Sequence, residues 1–247
     1  MVRVVGPGHY VVGPGHHVQE RSPWPGVRVT TLLDGRRGCT RLCQRVLEFA
    51  SGAELANRVG GMGESWYVAG GSGTIAVAGQ RVPLQAGTAV WLKRGGQYRG
   101  RAEAEAGLRI IATEVRAGEP ADDTGPPVRV ATLAECVPER TGDREFRVLL
   151  SAGPAGNLAV TQFVGVIPPG RAPAHQHTYD EAVYVLDGEG EAHVAGTDMP
   201  IGPGTSIYLP PYTPHCLENT GSAALRVLGL FYPAGSPAAK TPVTNGS

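Results

Sequence analysis

Short alternations of apolar and polar residues, four to eight long, recur along the chain and are cut by Gly, Pro, Asn and Asp; they predict strands joined by tight turns. Glu181-Ala-Val-Tyr-Val-Leu is one such strand and ends at Asp187-Gly188, a hairpin-type turn signal. In the strand before it, Gln162, Val164 and Val166 share one face, as do Arg45, Leu47 and Phe49 earlier in the chain. That face is the more apolar in both, so it is predicted to point inward. His193 alternates with Ala192 and Val194 and is predicted to face solvent. Helix is confined to one candidate turn, Thr132-Leu-Ala-Glu-Cys136.

The alternations themselves repeat at a fixed separation of 117 residues. Glu64-Ser-Trp-Tyr-Val-Ala-Gly-Gly-Ser-Gly-Thr-Ile-Ala-Val-Ala-Gly79 aligns without gaps on Glu181-Ala-Val-Tyr-Val-Leu-Asp-Gly-Glu-Gly-Glu-Ala-His-Val-Ala-Gly196. The same separation pairs Pro83 with Pro200, Gly87-Thr88 with Gly204-Thr205, and Leu108-Arg109 with Leu225-Arg226. So long a period marks a duplicated domain rather than a solenoid. Each copy is a set of short strands, and closing them into a barrel removes exposed edges. The expected organisation is all-β: an N-terminal arm at 1–26, a first barrel at 27–115, a linker at 116–130, a second barrel at 131–233, and a poorly ordered tail at 234–247. Gly 36 and Pro 21 beside 6% aromatic residues fit that many turns. The arm holds a tandem, Val4-Val-Gly-Pro-Gly-His9 and Val11-Val-Gly-Pro-Gly-His16, whose Gly-Pro punctuation prevents a helix and leaves either an extended arm on the barrels or a floppy leader.

Candidate chemistry concentrates in Pro168–Gly188 and in Gly204–Asn219. His175 and His177 lie two apart, so on a strand both imidazoles leave one face. Glu181 follows four residues later, and His215 comes after a Pro-rich turn. Two same-face histidines, a carboxylate and a distant histidine match the ligand set of a first-row divalent metal. In order and in turn placement these residues resemble the cupin superfamily, whose motifs are G-x5-H-x-H-x3,4-E-x6-G and G-x5-P-x-G-x2-H-x3-N. The first is matched by His175, His177, Glu181 and Gly188, with Gly170 one residue nearer than usual. The second is matched by Gly204, Pro210, His215 and Asn219, with Tyr212 in place of the middle glycine.

The resemblance implies two tandem cupin (double-stranded β-helix or jelly-roll) barrels, a bicupin similar to the quercetin dioxygenase-like metal-dependent members. It implies His175, His177, Glu181 and His215 as ligands of one divalent metal. Fe(II) suits that set with two positions left open, and Mn, Ni, Cu or Zn can also occupy it. The 117-residue separation maps the four onto Arg58, Gly60, Glu64 and Tyr98, so the first barrel keeps only the carboxylate and is expected to hold no such metal. Arg58 either points outward or pairs with Glu64 where a cation would stand.

Around the metal three further residues are candidates. Gln162 is a polar group expected in an apolar cavity, contacting substrate or bonding backbone. Tyr179 lies in the turn before Glu181, at the expected barrel mouth, as a substrate gate or simply a turn residue. The Tyr212 phenol would line the entrance. Cys216 adjoins a ligand on a strand and therefore faces the core. Formal charge is zero with a pI near 7.1, which argues against nucleic-acid and anionic-membrane partners. No apolar run nears the roughly 18–20 residues of a membrane span. Four cysteines without a framework spacing suit a reducing cytoplasm. The reading that follows is an Fe(II) oxygenase acting on a small aromatic or carboxylated molecule, as monomer or homodimer. Alternatives are an isomerase or lyase using the metal as Lewis acid, and a non-catalytic module holding a sugar or acid. Oxalate decarboxylases and antibiotic-pathway isomerases share the architecture but keep two metal sites, and ureidoglycine aminohydrolases differ in ligand order.

Overall fold

A computed structural model describes residues 2–6, 9–116, 126–152, 158–239 and 241–242; most of the expected linker and the last residues of the tail lie outside this set. The chain is nearly all strand and divides into two compact units. One is essentially His17–Cys136; the other joins residues up to His16 with Val137–Ser151 and everything from Ala159 on. Thr132–Cys136 makes a turn, closed by Glu135 N–H to the Thr132 carbonyl, and no helix. Among the described residues no helix is long and apolar enough to cross a membrane.

The later unit is a jelly roll of two facing sheets. Its eight-stranded sheet runs Val2–Gly6, His9–Val12, Ser206–Leu209, Asp180–Asp187, Leu225–Tyr232, Thr161–Ile167, Arg144–Leu150, Glu139–Thr141. Its six-stranded sheet runs Thr197–Ile201, Gly190–Val194, His215–Asn219, His175–Gln176, Thr241–Pro242, with Gly170–Arg171 also on His215–Asn219. Val183, Val185, Val227 and Ile207 from the first sheet pack on Ala192, Val194, Met199 and Leu217 from the second. Asp187-Gly188 is not a hairpin: the strands on either side of it belong to different sheets, and the chain crosses between them there. Gly188 has φ +83°, and a Cβ would come 2.7 Å from the Ala224 carbonyl oxygen, so only glycine makes that crossing without strain.

The earlier unit repeats the plan, with the strand Gly63–Val77 running through both of its faces and closing on Gln80–Gln85, Thr88–Lys93, Gln97–Ala102 and Leu108–Val115. Its core is Val29, Leu47, Phe49, Val59, Trp66, Val68, Ile75, Val90, Tyr98 and Ile110 with their neighbours.

The ladders correct the gapless alignment of the two copies. Leu47 pairs with Ile110, which pairs with Val68. Gly165 pairs with Val227, which pairs with Val185. The later strands therefore differ by 117 and the earlier one by one residue more, because five residues span Val59 to Glu64 where four span His177 to Glu181. Slipping a strand by one residue exchanges its faces. Phe163, Gly165 and Ile167 thus correspond to Arg45, Leu47 and Phe49 and point inward, while Gln162 corresponds to Gln44 and lies on the opposite face, away from the expected position.

The N-terminal segment is an added pair of strands and not a loose leader. Tyr10, Val11 and Val12 pair with Tyr208, Ile207 and Ser206, and Tyr10 is fully buried with its ring 5.8 Å from that of Tyr208. Truncation to Tyr10→Ala is expected to cost about 3 kcal/mol, the usual loss for a buried aromatic. Urea unfolding of variant and parent measures it; an unchanged midpoint would mean the segment contributes no packing.

Candidate metal centre

The later barrel brings its three expected imidazoles and Glu181 together. His175 pairs directly with His215 across the ladder, and His177 sits two residues further on. The ring centroids of His175 lie 4.9 Å from His177 and 4.5 Å from His215, and one nitrogen from each of the three rings falls within 4.8 Å of the others. Glu181 Oε2 is 3.2 Å from His215 Nε2 and 3.8 Å from His177 Nε2. Two atoms each about 2.1 Å from one ion are about 3 Å apart when adjacent and about 4.2 Å apart when opposite, so these spacings suit a shared cation.

Backbone carbonyls fix the tautomer of each ring. Each Nδ1 faces one: His177 to Ala239 at 3.0 Å, His215 to Thr213 at 2.8 Å, His175 to Pro173 at 3.4 Å. A carbonyl only accepts, so Nδ1 carries the proton and each neutral ring presents a bare Nε2 lone pair to the centre. Glu181 Oε2 is buried there with no hydrogen-bond partner. Four electron-pair donors facing one another in an apolar barrel repel unless a cation stands among them. That is the fit the ligand set requires. Burial pushes the Glu181 pKa up; when no ion is bound and the rings are protonated, a hydrogen bond from His215 and the charges of His215, His177 and His175 outweigh it and hold the carboxyl below its ordinary value.

The cavity over these residues measures about 90 Å³ and is walled by Phe146, Phe163, Val183, Leu209, Val227 and Phe231. Gln162 does not line it: its side chain is fully buried on the other face, and neither amide atom finds a partner among the described residues. Tyr212 also stays out. Its side chain is 63% exposed, and its contribution is backbone: N–H donates to the His177 carbonyl at 2.7 Å. It does so at φ +64°, the left-handed region that Gly95, donating likewise to Val59, occupies at φ +76° without a Cβ penalty. His193 is buried rather than solvent-facing, because Asp198 and Glu218 from the flanking strands hold its ring nitrogens at 2.6 and 2.9 Å.

Tyr179 clamps the C-terminal segment. Its ring stacks on His177 at 4.9 Å and 14°, and its hydroxyl donates to the carbonyls of Ser236 and Ala239 at 2.8 and 3.3 Å. Residues expected to be a loose tail therefore form a strap across the site. Gly235 passes so close to the Tyr179 ring that a Cβ would collide with it, Pro237 lines the cavity, and Thr241 pairs with Gln176. A Gly-, Pro- and Ala-rich stretch gives no periodicity from which to read this.

In the earlier barrel the corrected register places Asn57, not Arg58, opposite Tyr98, as His175 lies opposite His215. Val59 stands at the position of His177. Arg58 is exposed, its Nε donating to the Gly95 carbonyl, and does not pair with Glu64. Glu64 instead accepts from Trp66 Nε1 at 3.1 Å and the Tyr98 hydroxyl at 3.2 Å. The guanidinium near it is Arg45, which pairs with Glu114 at 3.3 Å. Burial dominates here: it raises the Glu64 pKa against the opposing effects of Trp66, Arg45 and Tyr98.

The Cupin domain family matches residues 163–231. An oxalate-binding protein from Thermotoga maritima is 33% identical over 111 residues, 41% of this chain and 92% of that protein. An uncharacterized protein, MJ1618, from Methanocaldococcus jannaschii is 36% identical over 70 residues, 28% of this chain and 56% of that protein. Oxalate decarboxylase from Bacillus subtilis, a solved structure, superposes with a TM-score of 0.74 at 14% identity over 94% of this chain and 79% of its own, a likeness of fold.

Two outcomes follow for this centre. Ending the chain at Pro233 removes the carbonyl that orients His177, so divalent-metal affinity, read by competition with a chromogenic chelator, is expected to fall about 10–100-fold while the fold persists; undiminished affinity would show the strap to be incidental. For Glu64 the sign is opposite to that of a paired carboxylate. With the folded pKa raised, the penalty is absent below the unfolded value and grows as pH rises towards the folded one. Glu64→Gln removes it, so in urea the variant gains on the parent at pH 7 and the gain vanishes near pH 4.

Proposed function

The chain belongs to the cupin superfamily, and from that premise we propose that its later barrel is the catalytic half of a metal-dependent bicupin acting on a small carboxylate. One observation carries the reading: three Nε2 lone pairs and a partnerless Glu181 oxygen converge at one wall of a small apolar cavity. His175, His177, Glu181 and His215 would hold the ion. An ion there supplies Lewis acidity and, as iron(II), one-electron chemistry towards dioxygen.

The chain's own residues define what can enter. At about 30 Å³ per molecule the cavity takes about three waters, far below the roughly 300 Å³ of sites for drug-sized ligands. That favours a carboxylated molecule of a few atoms over a multi-ring aromatic. Phe146, Phe163 and Phe231 give it low-dielectric walls, which strengthen the charge interactions inside. A divalent ion offset by Glu181 leaves a net positive centre that draws an anion. The barrel that keeps only Glu64 serves as scaffold.

Iron(II) oxygenase chemistry is the first reading. A second, in which a small acid is held without turnover, is favoured by the similarity to an oxalate-binding protein. Full-length protein loaded with iron(II) under argon and then mixed with air-saturated oxalate separates the two. Oxygen consumption above a Glu181→Gln control is expected; thermal stabilisation by oxalate without turnover selects the holding reading, and neither effect overturns both. The metal should be retained at pH 7.5 and lost on acidification, because the histidines bind it only as neutral rings. Glu181, its pKa lowered, remains ionised as the rings protonate, so release follows the histidines. Metal analysis after dialysis at each pH checks this.

A further inference from the structure

Two charged side chains interrupt the apolar wall and take no part in holding the ion: Glu145, offset by its ion pair with Arg147, and Arg144. Arg144 opens the strand Arg144–Leu150, whose Phe146 and Val148 pair with Gly165 and Phe163. By the pleat Arg144 lies on the same inward face as Phe146, and it lines the cavity together with His175, His177, Glu181 and His215. It reaches across to the facing sheet, where Nη2 donates to the Leu217 carbonyl at 2.7 Å.

Leu217 is two residues along its strand from His215, roughly 6.6 Å. Both line the same cavity. The guanidinium is thus moored within one small-molecule length of the candidate ion. One of its five N–H donors is committed to Leu217, which leaves a fork free for a planar carboxylate. Among the described residues no carboxylate is hydrogen-bonded to it. Glu145, beside it, is ion-paired with Arg147 at 3.3 Å, and Asp143 acts on it only through its charge from an exposed position.

We propose that Arg144 is a substrate anchor and that the preferred ligand is a dicarboxylate of two to four carbons, one carboxylate at the ion and the other on this guanidinium. This rests on the metal-centre reading and adds to it the charge and length of the substrate. The ion contributes +2, Glu181 −1 and Arg144 +1, so a dianion neutralises the cavity where a monoanion leaves it positive. Between low-dielectric walls that difference favours the dianion.

The test uses full-length protein loaded with cobalt(II), whose visible spectrum reports ligands reaching the ion. Parent, Arg144→Met and Arg144→Lys are titrated with acetate, oxalate, malonate and succinate. The expected result is that at least one dicarboxylate binds the parent tenfold or more tighter than acetate. Arg144→Met should then lose about 10–100-fold for that dicarboxylate and no more than about twofold for acetate, with Arg144→Lys recovering part of the loss. Unchanged dicarboxylate affinity in Arg144→Met overturns the anchor, and so does an equal loss for acetate. Arg144→Lys keeps a donor for the Leu217 carbonyl and gives the same reading should the methionine variant fail to fold. A parent that takes up no cobalt, or whose spectrum no acid perturbs, overturns the metal-centre reading and this inference with it, which a change confined to dicarboxylates does not.

Discussion

Four electron-pair donors turned towards one another inside an apolar barrel constitute the constraint that the later half of this chain is built to satisfy. Glu181 Oε2 and the Nε2 atoms of the histidines have no protons to share, because the protons are on Nδ1, engaged by the carbonyls of Pro173, Thr213 and Ala239. Without a cation the arrangement costs energy; with one it is stabilising, and the walls that make it costly make it selective. The fold supplies the carbonyls from three separate places, one of them 62 residues from the ring it orients. The strap, the Tyr179 stack and the left-handed Tyr212 backbone are consequences of holding rings at fixed angles about an empty-handed carboxylate.

The duplicated barrel shows what happens when that constraint is relaxed. Glu64 and Glu181 occupy equivalent positions in equivalent strands, and both are buried. Around Glu181 the environment is imidazole, and the carboxyl is held ionised. Around Glu64 it is an indole, a phenol and a valine, and burial drives the carboxyl towards its neutral form. The pair Arg45 and Glu114 sits where Phe163 and Phe231 stand in the other copy, so charge and aromatic packing have exchanged places between the barrels. One copy gives its interior to the candidate metal centre, and the other fills it with Trp66 and Tyr98 in edge-to-face contact at 5.1 Å.

Much of this was legible in the residues because it is local. A histidine pair two apart, a carboxylate four on and a glycine at a turn are statements about strand geometry, and the duplicated alternations gave the all-β architecture directly. What escaped was set by a single residue. The extra position between Val59 and Glu64 leaves the later strands in register and slips the earlier one, and a one-residue slip in a strand moves every side chain to the other face. Gln162 was therefore expected to face the cavity and lies buried on the opposite face of its strand, and Arg58 was mapped onto His175, whose place Asn57 takes. The strap was illegible for a different reason: its contributions are backbone carbonyls and a glycine's missing Cβ, which no side-chain pattern encodes. Arg144 carries a side chain but no motif, and only the pairing of its strand with Thr161–Ile167 turns it inward.

Selectivity in so small a space rests on charge more than on shape. A cavity of about three water volumes walled by phenylalanine and branched aliphatic side chains offers few hydrogen bonds, so size can exclude large molecules but hardly distinguishes one small acid from another. Charge can. Each unit of imbalance left in an apolar pocket is felt at low effective dielectric, whereas the same imbalance at the surface is screened. A guanidinium moored by one bond to Leu217 is also pre-organised, so little rotamer freedom is lost when a carboxylate arrives. On the proposed reading, one fixed positive charge within a molecule's length of a cation would be the least structure that lets an apolar barrel read the number of carboxylates on its ligand.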